Sequence, residues 1–214
     1  MPVEVKICGL STPETMDAAL AAGADFVGLV FFPDSPRHVS LSQAAALADR
    51  ARGRARIVTL IVDAGDASVT AINRAVGPDF FQAHGDETPE RVAAIQALTG
   101  KPVIKAIKVR DAADIARASA YAGKAAMILY DAKAPQGQAG ALPGGMGLAF
   151  DWPLLANTPG IYMLGGGLTP VNVAEAIRVS GAAMVDVSSG VESAPGVKDV
   201  ALIRKFIEAA KGAS

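Results

Sequence analysis

Four stretches of this sequence share one pattern: AAGADFVGLVF (21–31), AVGPDFFQAHG (75–85), YAGKAAMILYD (121–131) and VSGAAMVDVSS (179–189). In each, helix-like residues end at a glycine (Gly23, Gly77, Gly123 or Gly181), and after two more residues an apolar run of β character begins. Glycine just past a helix end is a stop signal, because the chain turns there through left-handed backbone that a Cβ disfavours. The glycines lie 54, 46 and 58 residues apart, about twice the length of one βα unit, so a further strand belongs in each interval. RIVTLIVD (56–63), PVIKAIK (102–108) and IYML (161–164) fill those intervals, and VEVKI (3–7) opens the series, which makes eight strands.

The pieces between the strands have helical periodicity and plausible caps. STPETMDAALAAG (11–23) places Thr12 before Pro13, a good first-turn arrangement, and TPVNVAEAIRVSG (169–181) repeats it with Thr169 and Pro170. SLSQAAALADRA (40–51), DETPERVAAIQALTG (86–100), DAADIARASAYAG (111–123) and KDVALIRKFIEAAKG (198–212) continue the alternation. Strands alternating with helices imply right-handed parallel crossovers. Eight such units point to a (β/α)8 TIM barrel; an open doubly wound sheet, with its usual six strands, would leave two unplaced. No Gly/Ser-rich linker divides the chain, so residues 1–214 are expected to form a single domain.

Charge narrows the function classes. With 20 basic and 21 acidic residues well mixed, no basic stripe of the nucleic-acid-binding kind appears. One cysteine cannot form an internal disulfide, which fits a reducing compartment. The sequence opens directly into VEVKI with no signal-peptide pattern, and no apolar stretch reaches the ~18 residues of a membrane span. Two histidines and one cysteine make a structural zinc site a poor fit. The expectation is a cytoplasmic protein with no nucleic-acid or membrane partner and, lacking a long exposed apolar run, a monomer.

In a barrel of this kind the active site lies at the C-terminal ends of the strands. Cys8, the single cysteine, ends the first strand beside Gly9. Lone cysteines are often inert packing residues, and this one reads either so or as a reactive thiol. Strand alternation puts Lys6 and Cys8 on one face, pointing into the barrel, with Val3, Val5 and Ile7 on the other. An ammonium beside the thiol favours the thiolate; Lys6 could equally neutralise Glu4 on the same face. Asp131 ends AAMILYD, where it either caps the next turn or serves as a proton donor in a partly apolar pocket. One base and one acid on different strands suit proton relocation within a substrate.

The last two units carry an anion-binding signal. LGGGLTPVNV supplies Gly165, Gly166 and Gly167, and DVSSGVE supplies Ser188, Ser189 and Gly190. Such turns let backbone N–H groups approach a phosphate, and loops after strands 7 and 8 often do so in this fold; the alternative is ordinary tight turns. Arg37, in FFPDSPRHVS, could hold a carboxylate in bidentate fashion or stay solvated. Gln82 and His84 either line the pocket or hydrogen-bond within the barrel top. The Gly-rich segment between Asp131 and Phe150 is too long for a simple connector and reads as a lid or a surface loop.

Seven segments then resemble one family in order and position: KICGL (6–10), FFPDSPRHVS (31–40), FQAHGDE (81–87), YDAKAP (130–135), PGGMGLAFDW (143–152), LGGGLTPVNV (164–173) and VDVSSGVESAPGVKD (185–199). The chain is similar to the phosphoribosylanthranilate isomerases of tryptophan biosynthesis. The resemblance implies a cofactor-free, metal-free Amadori rearrangement of a small phosphorylated substrate. It makes Asp131 the general acid, Cys8 the general base and Arg37 the holder of the anthranilate carboxylate, with Gly165–Gly167 and Ser188–Gly190 gripping the phosphate. Ala83, Met146 and Tyr130 depart from the usual Leu, Thr or Ser, and Leu of the family. The sister isomerases of histidine biosynthesis carry Asp where this chain has Cys8. A non-catalytic barrel binding phosphorylated metabolites would need the glycine turns but not Cys8 with Asp131.

Overall fold

The computed structural model describes residues 2–132, 152–156 and 158–213. Eight parallel strands close into a barrel in chain order: β1 (Glu4–Cys8), β2 (Phe26–Phe31), β3 (Arg56–Ile61), β4 (Phe80–Ala83), β5 (Val103–Val109), β6 (Met127–Ala132), β7 (Tyr162–Gly165) and β8 (Met184–Val187). The ring closes where β1 pairs with β8, with Lys6 opposite Asp186. The open doubly wound alternative is thereby removed. The proposed lid, Met146 and the segment PGGMGLAF lie outside the described residues.

Helices α1 (Pro13–Ala21), α2 (Leu41–Ala51), α3 (Asp66–Val76) and α4 (Pro89–Thr99) follow the first four strands. Thr12, Ser40 and Thr88 each accept a first-turn backbone N–H at the start of α1, α2 and α4, satisfying donors that have no partner inside the helix. The four repeat glycines all have positive φ: 87° at Gly23, 56° at Gly77, 71° at Gly123 and 73° at Gly181.

The second half is less regular. After β5 come the short α5 (Ala112–Ala116) and a 3-10 turn over Arg117–Tyr121, where the sequence suggested one helix. A 3-10 turn over Trp152–Leu155 precedes β7. Helix α6 runs Val173–Ser180 with Asn172, not Thr169, before it. Thr169 donates its backbone N–H to Asn172 Oδ1 at 2.7 Å, so residues 169–172 form a separate turn and the expected cap at Thr169 does not form. After β8 a 3-10 turn (Ser189–Val191) leads into a small antiparallel hairpin, β9 (Glu192–Ala194) and β10 (Val197–Lys198), and α7 (Val200–Lys211) ends the fold.

The period-2 alternation sorts the strands into two cores. Outward residues such as Val5, Ile7, Val27, Leu29 and Ile57 pack against the helices. Inward residues stack in layers: Phe26, Val58, Ile104, Leu129, Met163 and Met184 fill the lower barrel, and Cys8, Val30 and Leu60 form the layer above. Ala83 is fully buried in the outer core. Tyr130, also outward, meets Tyr162 edge-on with ring centroids 5.4 Å apart.

Lys6 and Cys8 are both buried in the interior, as alternation predicts. The partner of Lys6 is Asp186 on the neighbouring strand β8, at 2.8 Å, not Glu4. Glu4 is taken by Arg56, whose guanidinium stacks 3.7 Å from the Phe26 ring centroid.

Candidate active site

The C-terminal strand ends surround a cavity of about 430 Å³. Cys8 from β1, Arg37 from the loop after β2, His84 after β4, Lys108 from β5, Asp131 from β6, the Gly166–Gly167 turn after β7 and Asp186 through Gly190 after β8 line it. A wider, shallower depression lies at the opposite end, where Arg54, Arg56 and Lys211 face Asp25 and Asp79. There Lys211 is paired with Asp25 at 3.2 Å, whereas the upper cavity brings together the cysteine, a histidine and an aspartate, so the upper cavity is the one equipped for chemistry.

Strand order explains the arrangement. Between β6 and β1 on the shorter arc stand only β7 and β8. The two glycine turns therefore sit between Asp131 and Cys8, while Arg37 and His84 come from the longer arc. The turns pack backbone to backbone: a Cβ on Gly190 would stand 1.8 Å from the Leu168 carbonyl oxygen, so no side chain fits there. Ser188 Oγ donates to the Cys8 carbonyl at 3.1 Å, which ties the β8 turn to the end of β1.

Cys8 is 3% exposed. Burial pushes its thiol above the ordinary value; Lys6 and Lys198 pull the other way, and Asp186 reinforces the rise. Lys6 thus favours the thiolate, as the shared face implies, but desolvation outweighs it. Burial also works against the Lys6 ammonium, but Asp186 and Cys8 together outweigh it and hold Lys6 above its ordinary value. The charge of Lys6 is spent largely on Asp186.

Asp131 faces the cavity with His84 beside it, His84 Nε2 lying 3.4 Å from Asp131 Oδ2. The other ring nitrogen, Nδ1, is 2.9 Å from Gln82 Nε2. With the amide so oriented, Gln82 donates, Nδ1 accepts, and Nε2 carries its hydrogen toward Asp131. Gln82 is fully buried and holds His84 from below instead of lining the cavity. Gly165 likewise ends β7 beneath the opening, where a Cβ would stand 3.7 Å from Asp131 Oδ1.

The His84 loop is clamped from outside the barrel. Lys105 and Glu87, both buried, meet at 2.8 Å, and Lys105 Nζ also donates to the Gly85 carbonyl at 2.7 Å. Arg37 is not a free arm. Its Nε and Nη2 donate to Glu192 Oε1 and Oε2, each at 2.7 Å, and that hydrogen bonding holds the guanidinium above its ordinary value. Sequence reasoning assigned no role to Glu192, Lys198 or Asp186, although all three lie within VDVSSGVESAPGVKD. Charged residues inside a turn-rich motif were the only signal.

Residues 5–209 match the family model described as N-(5′-phosphoribosyl)anthranilate (PRA) isomerase. A Rhodopseudomonas palustris (strain BisA53) protein named N-(5′-phosphoribosyl)anthranilate isomerase is 56% identical over 213 residues, covering 99% of this chain and 97% of that one. The crystal structure of phosphoribosyl anthranilate isomerase from Thermotoga maritima superposes with a TM-score of 0.87 at 36% identity, over 98% of this chain and 99% of that one. A second crystal structure of such an isomerase, in complex with reduced 1-(o-carboxyphenylamino)-1-deoxyribulose 5-phosphate, gives 0.84 at 34% identity with the same coverage.

Proposed function

The chain belongs to the N-(5′-phosphoribosyl)anthranilate isomerase family, and on that premise we propose how its cavity carries out the reaction. It is an aldose–ketose isomerase of tryptophan biosynthesis, converting N-(5′-phosphoribosyl)anthranilate to 1-(2-carboxyphenylamino)-1-deoxyribulose 5-phosphate. The change moves protons and a ring bond and releases no fragment, so one acid, one base and two anion grips suffice.

Asp131 gives its proton to the furanose ring oxygen. The anilino nitrogen lone pair drives out that oxygen, the C1′–O bond breaks, and an iminium ion forms. Cys8, as thiolate, takes the proton from C2′; the C–H electrons become the C1′–C2′ double bond of an enolamine, which tautomerises to the ketone. The cationic intermediate is itself a positive charge placed near Cys8, favouring the thiolate where burial opposes it. Arg37 holds the anthranilate carboxylate, His84 borders the sugar beside Asp131, and the turns at Gly166–Gly167 and Ser188–Gly190 hold the phosphate. Gln82 and Gly165 support this set from below.

The observation that carries the reading is the convergence of Cys8 and Asp131 on one cavity, with an arginine on one arc and two glycine turns on the other. Turnover of phosphoribosylanthranilate by Cys8→Ala and Asp131→Ala tests it. Each should lose ~10²–10⁴ in kcat, the usual cost of removing a positioned acid or base. Near-native turnover by either variant would overturn its assigned role.

A further inference from the structure

Behind the cavity wall, the β9–β10 hairpin completes a chain of buried charge. The side chains of Glu192 and Lys198 are 4% and 1% exposed, and neither lines the cavity. Lys198 Nζ donates to Glu192 Oε1 at 2.7 Å, to the Ser188 carbonyl at 2.9 Å and to Ser188 Oγ at 3.2 Å. Glu192 grips Arg37 with both oxygens, and its Oε2 also accepts the Gly196 backbone N–H at 3.2 Å. Three groups that face the substrate, Arg37, Ser188 and the end of β1 at Cys8, are thus joined through two that do not.

Shape reinforces the linkage. A Cβ on Gly196, at the hairpin tip, would stand 2.6 Å from the Pro36 carbonyl oxygen, and a Cβ on Gly9 would stand 2.7 Å from Arg37 Cδ. Two close approaches therefore wedge the Arg37 segment in place. Burial pushes the Glu192 carboxyl up, but the bonds from Arg37 and Lys198 win and hold it below its ordinary value. Two cations share one carboxylate, so the cluster has one uncompensated positive charge. Its outlet is Arg37, 21% exposed, whose Nε–Nη2 edge is occupied by Glu192 while the end-on edge has no partner among the described residues. A planar fork fixed on one edge presents the other in a set direction, which suits a second carboxylate.

We propose that Glu192 and Lys198 are positioning residues that set selectivity for a carboxylate on the substrate's aryl amine: Glu192 aims Arg37, and Lys198 locks that aim to Ser188 in the phosphate turn. The two anionic ends of the substrate are then held at a fixed separation by one rigid unit. This rests on the reading of Arg37 and Ser188 given above.

Steady-state kinetics of Glu192→Gln with phosphoribosylanthranilate and with N-(5′-phosphoribosyl)aniline, which lacks the carboxylate, provide the test. KM for the first should rise about 10–100-fold, the scale of a charge-assisted contact, with kcat nearly unchanged. KM for the aniline substrate should stay within about 2-fold, the size of a lesser surface effect. In an Arg37→Ala background, Glu192→Gln should add nothing further. Equal shifts for both substrates, or full additivity with Arg37→Ala, would overturn the proposal. Glu192→Asp, which keeps the charge but withdraws it by one methylene, should split the substrates in the same direction if Glu192→Gln does not fold; failure to split them also overturns it. Arg37→Ala alone separates the premise: unchanged KM for phosphoribosylanthranilate would sink the carboxylate role of Arg37 whatever Glu192→Gln does. Lys198→Met should weaken inhibition by inorganic phosphate, which Glu192→Gln should leave largely intact, and the reverse pattern would remove Lys198 from the unit.

Discussion

Cys8 stands in a dry wall of the cavity and Asp131 in a wet one: the thiol residue is 3% exposed, whereas the Asp131 side chain is 30% exposed. The β1–β8 side is laced with buried ion pairs, Lys6 with Asp186 and Lys198 with Glu192, at 2.8 and 2.7 Å. On the β4–β6 side, among the described residues, Asp131 meets the half-buried His84 at 3.4 Å. The division fits the two tasks. An acid that regains its proton each turnover gains from contact with water, whereas a base that removes a carbon-bound proton gains from losing its hydration shell. The dry wall must then neutralise its own charges internally, and stability should depend on the pair behind Cys8 far more than on the contact of His84 with Asp131.

Lys6→Met should produce the largest effect. It leaves the Asp186 carboxylate in the barrel interior without its ammonium, and breaking a buried pair from one side typically costs about 3–5 kcal/mol. Urea unfolding of the purified variant measures this. A loss below about 1 kcal/mol, the level of an exposed pair, would mean that Asp186 draws enough water from the cavity to do without Lys6, and the β1–β8 wall would not be dry.

The pH dependence comes next in size. Burial pushes the Cys8 thiol up, so at neutral pH only a minor fraction of the enzyme holds the thiolate. Since the reaction needs the Cys8 thiolate together with a protonated Asp131, kcat/KM follows the product of the two populations, and its alkaline fall should begin only above the ordinary thiol value of ~8.5. The same shift acts on stability. The folded chain keeps the thiol proton where the unfolded chain releases it, so the contribution is fully present below ~8.5 and is lost as pH rises through the native value. The fall in activity and the loss of stability should thus share one alkaline window, and Cys8→Ala should flatten the thiol component of the stability trend. An alkaline fall in kcat/KM that begins by about pH 7, below the ordinary thiol value, would instead show the thiol to be activated in the resting wall.

The contrast between the walls also separates what the sequence discloses from what it withholds. Strand positions, the inward direction of Lys6 and Cys8, and the left-handed glycines follow from local rules: alternation, helix stops and strand-end placement. Partnership between segments far apart in sequence does not. Lys6 and Asp186 are 180 residues apart in sequence, and Arg37 and Glu192 are 155 apart. Alternation shows that Lys6 shares a face with Glu4, but only the closed register reveals that Arg56 takes Glu4 and leaves Lys6 to Asp186. For the same reason local spacing suggested that Lys6 activates the thiol, when desolvation, a property of the assembled wall, dominates. The hairpin from Glu192 to Lys198 escaped notice because its two strands are too short to show a period, and its role depends on where Pro36 and Arg37 arrive from far upstream.

The smallest effect should be the coupling between His84 and Asp131. His84→Ala alone is not informative, since it also leaves the buried Gln82 Nε2 without its imidazole partner, a cost of about 1–3 kcal/mol unrelated to Asp131. A cycle of His84→Ala, Asp131→Asn and the double variant cancels that cost, because it appears equally with and without Asp131. The coupling that remains, measured by urea unfolding, should be below about 1 kcal/mol, because both side chains are open to solvent that screens the pair. A coupling of about 3 kcal/mol or more would be the strength of a buried pair. Asp131 would then be held by His84 as firmly as Asp186 is by Lys6, and solvent contact could no longer explain why the acid and the base sit in such different surroundings.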